Sequence, residues 1–122
     1  MIAVKKYFAQ RLFSFKNAFN GIGILYKNES NFRLHIIAIF IVLILGFILH
    51  LNKTEWVGIT LIITAVILAE AFNTAIEYIS DFISPNYHNS IKQIKDISAA
   101  AVLVTSFGAI IIGLIIFLNK IL

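Results

Sequence analysis

The chain has 122 residues, a hydrophobic fraction of 60%, a formal net charge of +4 and no cysteine. Its length fits one domain, and soluble domains have only about 45–50% apolar residues, so this fraction indicates membrane spans. The lack of cysteine excludes disulfides, thiolate catalysis and cysteine-ligated metals. Most basic residues precede the first apolar run, where they are typical of lipid headgroup contacts, and we expect no nucleic-acid partner.

Residues 2–26 are predicted to form an amphipathic helix, because apolar residues recur at spacings of three and four and basic residues interrupt the run. A basic helix rich in phenylalanine is typical of one that lies in the membrane interface. A helix packed against a bundle is the alternative. Gly21-Ile22-Gly23 and the polar stretch 27–31 are predicted to bend the chain before the first span.

Three apolar stretches are long enough to cross a bilayer: 34–51, 56–83 and 97–118. His35 and His50 lie near the ends of the first and are expected to be interfacial boundary residues. The second would be about 42 Å long, which exceeds a hydrocarbon core of about 30 Å, so its acidic end would emerge from the membrane. Residues 84–95 are predicted to be a polar connection, and the distribution of lysine and arginine places it and the N-terminus in the cytoplasm.

The second apolar stretch continues into a segment that contains carboxylates, from Glu70 to Asp81, and no helix-breaking residue separates the two. On a helix turning about 100° per residue, Thr74, Glu77 and Asp81 fall within about 40° of Glu70, with Asn73 beside them. A charge near the bilayer centre costs about 2.5–3.5 kcal/mol on insertion scales, so these acids are candidate functional residues. A small oligomeric proton or cation pathway that uses Glu70 and Glu77 explains them as well as a catalytic site does.

Other polar residues are compatible with phosphate chemistry, but their types and spacing do not specify the reaction. Glu29 precedes the first span, and clustered carboxylates without thiolates suit Mg²⁺. Lys95, next to Asp96, can offer a cation to a phosphate, although a membrane-anchoring role explains a lone lysine too. His88 is expected to be a solvated loop histidine. Phosphate-loop, dinucleotide and zinc-protease motifs are absent.

The stretch from Glu70 to Asp81 closely resembles the signature of the small prokaryotic diacylglycerol kinase family, which includes the undecaprenol kinases. The resemblance extends to Tyr87-His88 and to Lys95-Asp96 with the small residues that follow, and upstream to residues 14–21 and 29–33. A bare proton path has no need of the Tyr87-His88 and Lys95-Asp96 pairs. Ser80 departs from the motif, which usually has an aliphatic residue there, and we expect it to alter packing rather than chemistry.

The resemblance implies an all-α integral membrane protein with an interfacial helix and three transmembrane helices, assembled as a homotrimer in the bacterial cytoplasmic membrane. It implies transfer of the γ-phosphoryl group of ATP to a lipid hydroxyl at the cytoplasmic face, with undecaprenol favoured over diacylglycerol as acceptor. It assigns Glu70 as the general base, Glu29 and Glu77 as Mg²⁺ ligands, and Asn73 and Asp81 as supporting residues. The residues it assigns to ATP are Arg11, Glu29, Glu77, Asn86, Tyr87, His88, Lys95 and Asp96.

Overall fold

The computed structural model describes all 122 residues and contains four helices and no strand. The helices are α1 (Ile2–Asn28), α2 (Ser30–Ile48), α3 (Lys53–Ile83) and α4 (Asn89–Ile121). Helices α2, α3 and α4 are long and apolar enough to cross a membrane. The predicted all-helical, multi-pass architecture is therefore confirmed.

A single extended residue, Glu29, separates α1 from α2, with φ −116° and ψ 108°. Arg33 fixes this corner, because its Nη1 donates to the carbonyl oxygens of Tyr26 at 2.7 Å and Lys27 at 3.1 Å. These carbonyls end α1, where helical partners run out. The predicted bend at Gly21-Ile22-Gly23 is wrong: α1 runs through it, since glycine costs a helix only about 1 kcal/mol relative to alanine.

A capping box starts α3 at Lys53, three residues before the predicted span. The side-chain oxygen of Asn52 accepts a hydrogen bond from the Glu55 amide at 2.9 Å, and the Glu55 carboxylate accepts one from the Asn52 amide at 3.0 Å. Two amides that lack helical partners are thereby satisfied. The preceding turn contains His50 in the left-handed region, at φ 54°.

The core is small and lies mainly between α3 and α4, which make the most extensive helix pair. Its buried centre consists of Leu51, Ile59 and Ile116. Near the end of α2, Gly46 lies so close to Trp56 of α3 that a Cβ atom would be 2.6 Å from the indole ring. Only ten of the 122 residues are buried, so most apolar side chains face outward, as expected where lipid is the solvent.

Helix α4 begins at Asn89, so the predicted polar connection over 84–95 is wrong in its second half. His88 is the N-cap residue, and its Nδ1 accepts a hydrogen bond from the Ser90 amide at 3.1 Å. This histidine is therefore a helix cap rather than a free loop side chain. As a consequence, Lys92 and Lys95 lie on the first turns of a helix and are held at fixed positions.

Candidate active site

Glu70 is the most deeply buried residue of the chain, with 1% of its surface exposed. It lies in the middle of α3, and His35 from α2 faces it, with 3.5 Å between His35 Nε2 and Glu70 Oε2. The predicted role of His35 as an interfacial boundary residue does not include this contact. The available signal was a histidine inside an apolar span, because such a residue needs a polar partner.

Three buried polar atoms around Glu70 have no hydrogen-bond partner: Glu70 Oε2, Asn73 Oδ1 and Thr74 Oγ1. The contrast with other threonines is informative, because the hydroxyls of Thr64 and Thr105 both donate to the carbonyl four residues earlier. A buried polar atom left without a partner costs about 1–3 kcal/mol. Three of them within two helical turns indicate a place where a bound polar group completes the hydrogen bonding.

Two further carboxylates act on Glu70 through their charge. Glu29 comes from the α1–α2 corner and Glu77 from α3, two turns after Glu70. Neither has an ion-pair or hydrogen-bond partner, and Glu29 does not cap α2 with its side chain. No group of three or more histidine, aspartate or glutamate side chains comes together as a metal site. The carboxylates of Glu29 and Glu77 are therefore unpaired within the chain.

The ion pairs near the α3–α4 connection are exposed. Lys95 Nζ bonds the Asp81 carboxylate across the two helices, and Lys92 Nζ lies 2.6 Å from Asp96 Oδ2 within α4. A recess of about 200 Å³ opens here. Four of the residues that the resemblance assigns to ATP line this recess: Asn86, Tyr87, His88 and Lys95.

The structure leaves other predicted site residues outside this recess. Glu29, Glu70 and Glu77 do not line it. Arg11 lies on α1, where its guanidinium stacks 5.1 Å from the centre of the Tyr7 ring. Within one chain, the buried group at Glu70 and the polar recess are therefore two separate features.

Residues 16–117 match the sequence profile of the prokaryotic diacylglycerol kinase family. The chain belongs to this family. The match includes every predicted site residue except Arg11. It confirms the family that the stretch from Glu70 to Asp81 suggested.

Curated relatives of this family member carry two names. An undecaprenol kinase of Bacillus subtilis (strain 168) is 42% identical over 107 residues, which cover 88% of this chain and 87% of the relative. A diacylglycerol kinase of Synechocystis sp. is 32% identical over 103 residues, covering 84% of this chain and 59% of the relative. A diacylglycerol kinase of Escherichia coli (strain K12) is 28% identical over 94 residues, which cover 77% of each chain.

These relatives establish the class of enzyme. The family member is a lipid kinase, and its substrate is a lipid. The alternative interpretation of Glu70 and Glu77 as a proton or cation pathway receives no support from them.

Proposed function

We propose that this lipid kinase transfers the γ-phosphoryl group of ATP to the primary hydroxyl of undecaprenol, and less efficiently to that of diacylglycerol, with Mg²⁺ as cofactor. The observation that carries the proposal is the buried Glu70 carboxylate with its unpartnered oxygen, beside the free polar atoms of Asn73 and Thr74. A lipid hydroxyl that enters this group finds an acceptor for its proton and further polar partners.

Glu70 is the general base of the proposed reaction. Its carboxylate takes the hydroxyl proton while the lipid oxygen forms a bond to the γ-phosphorus, and the bond from that phosphorus to the bridging oxygen breaks, so that ADP leaves. Such a base contributes about 10²–10⁴-fold to the rate. The surroundings of Glu70 favour this role, because no other group of the chain forms a hydrogen bond with its carboxylate in the structure.

The residues present fit a Mg²⁺ ion. Glu29 and Glu77 supply carboxylate oxygens, which this hard cation prefers. Neither side chain forms an ion pair within the chain, so no such contact has to break when a cation binds. With only two such side chains, phosphate oxygens and water would complete the coordination of a bound Mg²⁺, as is usual in kinases. When bound, the ion neutralises charge on the transferring phosphoryl group.

The nucleotide is proposed to bind at the recess near the α3–α4 connection. Lys95 contacts the phosphates after it is released from Asp81, and Asn86, Tyr87 and His88 complete the surroundings. Asp96 does not line the recess but pairs with Lys92, which does, and its proposed contact with ATP is made from there. The Lys95–Asp81 pair is exposed, and such pairs contribute only about 0–1 kcal/mol, so its exchange for a phosphate is inexpensive. Lys95→Ala is expected to raise the KM for ATP with little change for the lipid. An unaltered ATP dependence would reject this assignment.

A homotrimer with shared sites is also proposed. In one chain the Glu70 group and the recess are separate, and most apolar side chains are exposed. Assembly side by side would bring the recess of one subunit to the Glu70 group of the next. Helix α1 has no buried residue, so we place it in the membrane interface, at the cytoplasmic face of the bacterial cytoplasmic membrane.

The acceptor is tested by direct comparison. Purified protein is given ATP, Mg²⁺ and either undecaprenol or diacylglycerol at equal mole fractions in one detergent system. We expect a higher kcat/KM for undecaprenol, as the 42% identical relative is named for this lipid. Apolar contacts discriminate weakly, at about 1–3 kcal/mol per methylene, so activity on both lipids is expected.

Two outcomes separate the parts of the proposal. A preference for diacylglycerol would contradict the acceptor and leave the phosphotransfer intact. Wild-type activity of a correctly assembled Glu70→Gln variant would contradict the general base.

A further inference from the structure

We propose that His35 is a positioning residue of the phosphotransfer reaction, whose imidazole N–H holds one oxygen of the Glu70 carboxylate so that the other faces the lipid hydroxyl. This inference rests on the proposed function of Glu70 as the base. Its starting point is the contact between two helices, with His35 Nε2 of α2 3.5 Å from Glu70 Oε2 of α3.

The oxygen that faces the histidine is the one that needs a donor. Glu70 Oε2 is enclosed and has no hydrogen-bond partner, and at 3.5 Å the imidazole is a few tenths of an ångström too far for one. A nitrogen–oxygen hydrogen bond has a length of about 2.9–3.0 Å. Catalytic hydrogen bonds are often long in a free enzyme and tighten when the substrate is bound. A small movement of α2 against α3 is sufficient to bring His35 Nε2 within hydrogen-bond distance of Glu70 Oε2.

No other charged group near Glu70 can donate. From the α1–α2 corner comes Glu29 and from α3 itself comes Glu77, and both are carboxylates that repel Glu70. Helix α4 contributes only apolar side chains and glycine to the cavity that His35 lines. Of the charged or titratable side chains that act on Glu70, His35 is therefore the one with an N–H to offer.

The setting of His35 makes its orientation well defined. Its side chain is 24% exposed and lines one end of a cavity of about 120 Å³ between α2, α3 and α4, where nine of the eleven lining residues are hydrophobic. Within this lining the ring finds no other ionisable group. An imidazole on a rigid helix, with one polar neighbour, fixes the carboxylate against rotation.

Fixing the carboxylate matters because a base acts only within hydrogen-bond reach of the proton it takes, about 2.6–3.2 Å. In the proposed step the proton passes from the lipid hydroxyl to Glu70 as the oxygen–phosphorus bond forms. His35 donates its N–H to Oε2 before and after this transfer and neither gains nor loses a proton. Its effect is on kcat, since it touches neither ATP nor lipid.

The test compares His35→Leu, which removes the N–H and keeps bulk, with His35→Gln, whose amide nitrogen reaches the position of Nε2. The control is His50→Asn, which replaces the histidine beyond the other end of α2 by a residue that tolerates its left-handed backbone. Assembly is checked by size-exclusion chromatography in the same detergent. If leucine is not accommodated, His35→Met provides the same comparison.

We expect His35→Leu to lower kcat by roughly 10–100-fold, the cost of a misplaced catalytic group, with KM unchanged for ATP and for lipid. His35→Gln is expected to recover most of the rate and to retain the wild-type pH profile, and His50→Asn to match wild type. In a Glu70→Gln background, His35→Leu is expected to have no further effect on residual activity, because the two residues act as one unit.

Several results would overturn the proposal. Wild-type kcat of His35→Leu would remove His35 from the reaction while Glu70 remained essential, and the proposed function would stand. If His35→Gln were as slow as His35→Leu with an altered pH profile, His35 would carry protons rather than position the carboxylate. If Glu70→Gln were fully active, the proposed base itself would be wrong.

Discussion

Replacing Glu70 by methionine is expected to make the protein more stable and almost inactive. The side chain of Glu70 is 2% exposed, and its Oε2 has no hydrogen-bond partner. Methionine has a similar length and no polar atom, so it fills the same space without the cost of burying a carboxylate. The structure therefore predicts opposite effects of one substitution on stability and on phosphotransfer.

The size of the gain follows from two contributions. A buried polar group without a partner lowers the free energy of unfolding by about 1–3 kcal/mol, and the substitution removes this penalty. From this we subtract the lost attraction to His35, which at 3.5 Å is longer than a hydrogen bond and so contributes no more than the net value of one, about 1 kcal/mol. The net expectation is an increase of about 0–2 kcal/mol in the free energy of unfolding. Activity is expected to fall by about 10²–10⁴-fold, the contribution of a general base.

A second glutamate of α3 provides the matched control. Glu55 Oε1 accepts a hydrogen bond from the Asn52 amide and lies 3.0 Å from Lys120 Nζ, so this carboxylate has partners in the structure. Glu55→Met is therefore expected to lower stability and leave the phosphotransfer rate unchanged. The two variants lose the same kind of group from the same helix and are expected to respond in opposite directions.

The assay is unfolding in one mild detergent, followed by circular dichroism, together with phosphotransfer measured on the same preparations. A loss of stability in Glu70→Met as large as that in Glu55→Met would refute the argument, because it would mean that the Glu70 carboxylate is satisfied in the folded protein. Retained activity in Glu70→Met would refute the assignment of the base.

Three further predictions concern packing, metal and assembly. Gly46→Ala would put a methyl carbon 2.6 Å from an indole ring and is expected to cost about 1–3 kcal/mol of stability, whereas Gly113→Ala, with no neighbour within 4 Å, is expected to be neutral or slightly stabilising in thermal unfolding. Glu29→Ala and Glu77→Ala are each expected to raise the Mg²⁺ concentration needed for activity, and unchanged metal titrations would contradict shared coordination. Lys95→Ala and Glu70→Ala subunits are expected to recover activity at limiting ATP when mixed, because one subunit would supply the recess and the next the Glu70 group, and verified mixed trimers without recovery would favour a site within one chain.

The order of the helices and the acidic stripe could be predicted from sequence because both are local. Apolar runs of sufficient length determine the three long helices, and the spacing of Glu70, Glu77 and Asp81 alone puts them on one face of α3. The first residues of α3 and α4 were predicted less accurately. The Asn52–Glu55 capping box and the His88 cap extend α3 and α4 beyond the apolar residues, and hydropathy does not register such polar extensions.

Contacts between helices could not be predicted from the sequence. The 3.5 Å approach of His35 to Glu70 depends on how α2 is rotated against α3, and the Lys95–Asp81 pair depends on the register of α3 and α4. The pattern of apolar residues does not determine either quantity when a helix is apolar on all sides. A histidine inside a span indicates that a partner exists, but only the folded chain shows which one.

The acidic stripe of α3 also sets the distances that a kinase with a membrane-bound acceptor requires. At about 1.5 Å per residue, Glu77 lies about 10 Å along the helix from Glu70, and Asp81 lies about 6 Å further. Glu70 is buried, whereas Asp81 is exposed and pairs with Lys95 at the recess. One rigid helix thus runs from a place suited to a lipid hydroxyl to a place suited to a soluble nucleotide. Under the proposed function, Glu77 would hold the metal near Glu70, and the phosphoryl group would come from a nucleotide in the recess of the neighbouring subunit.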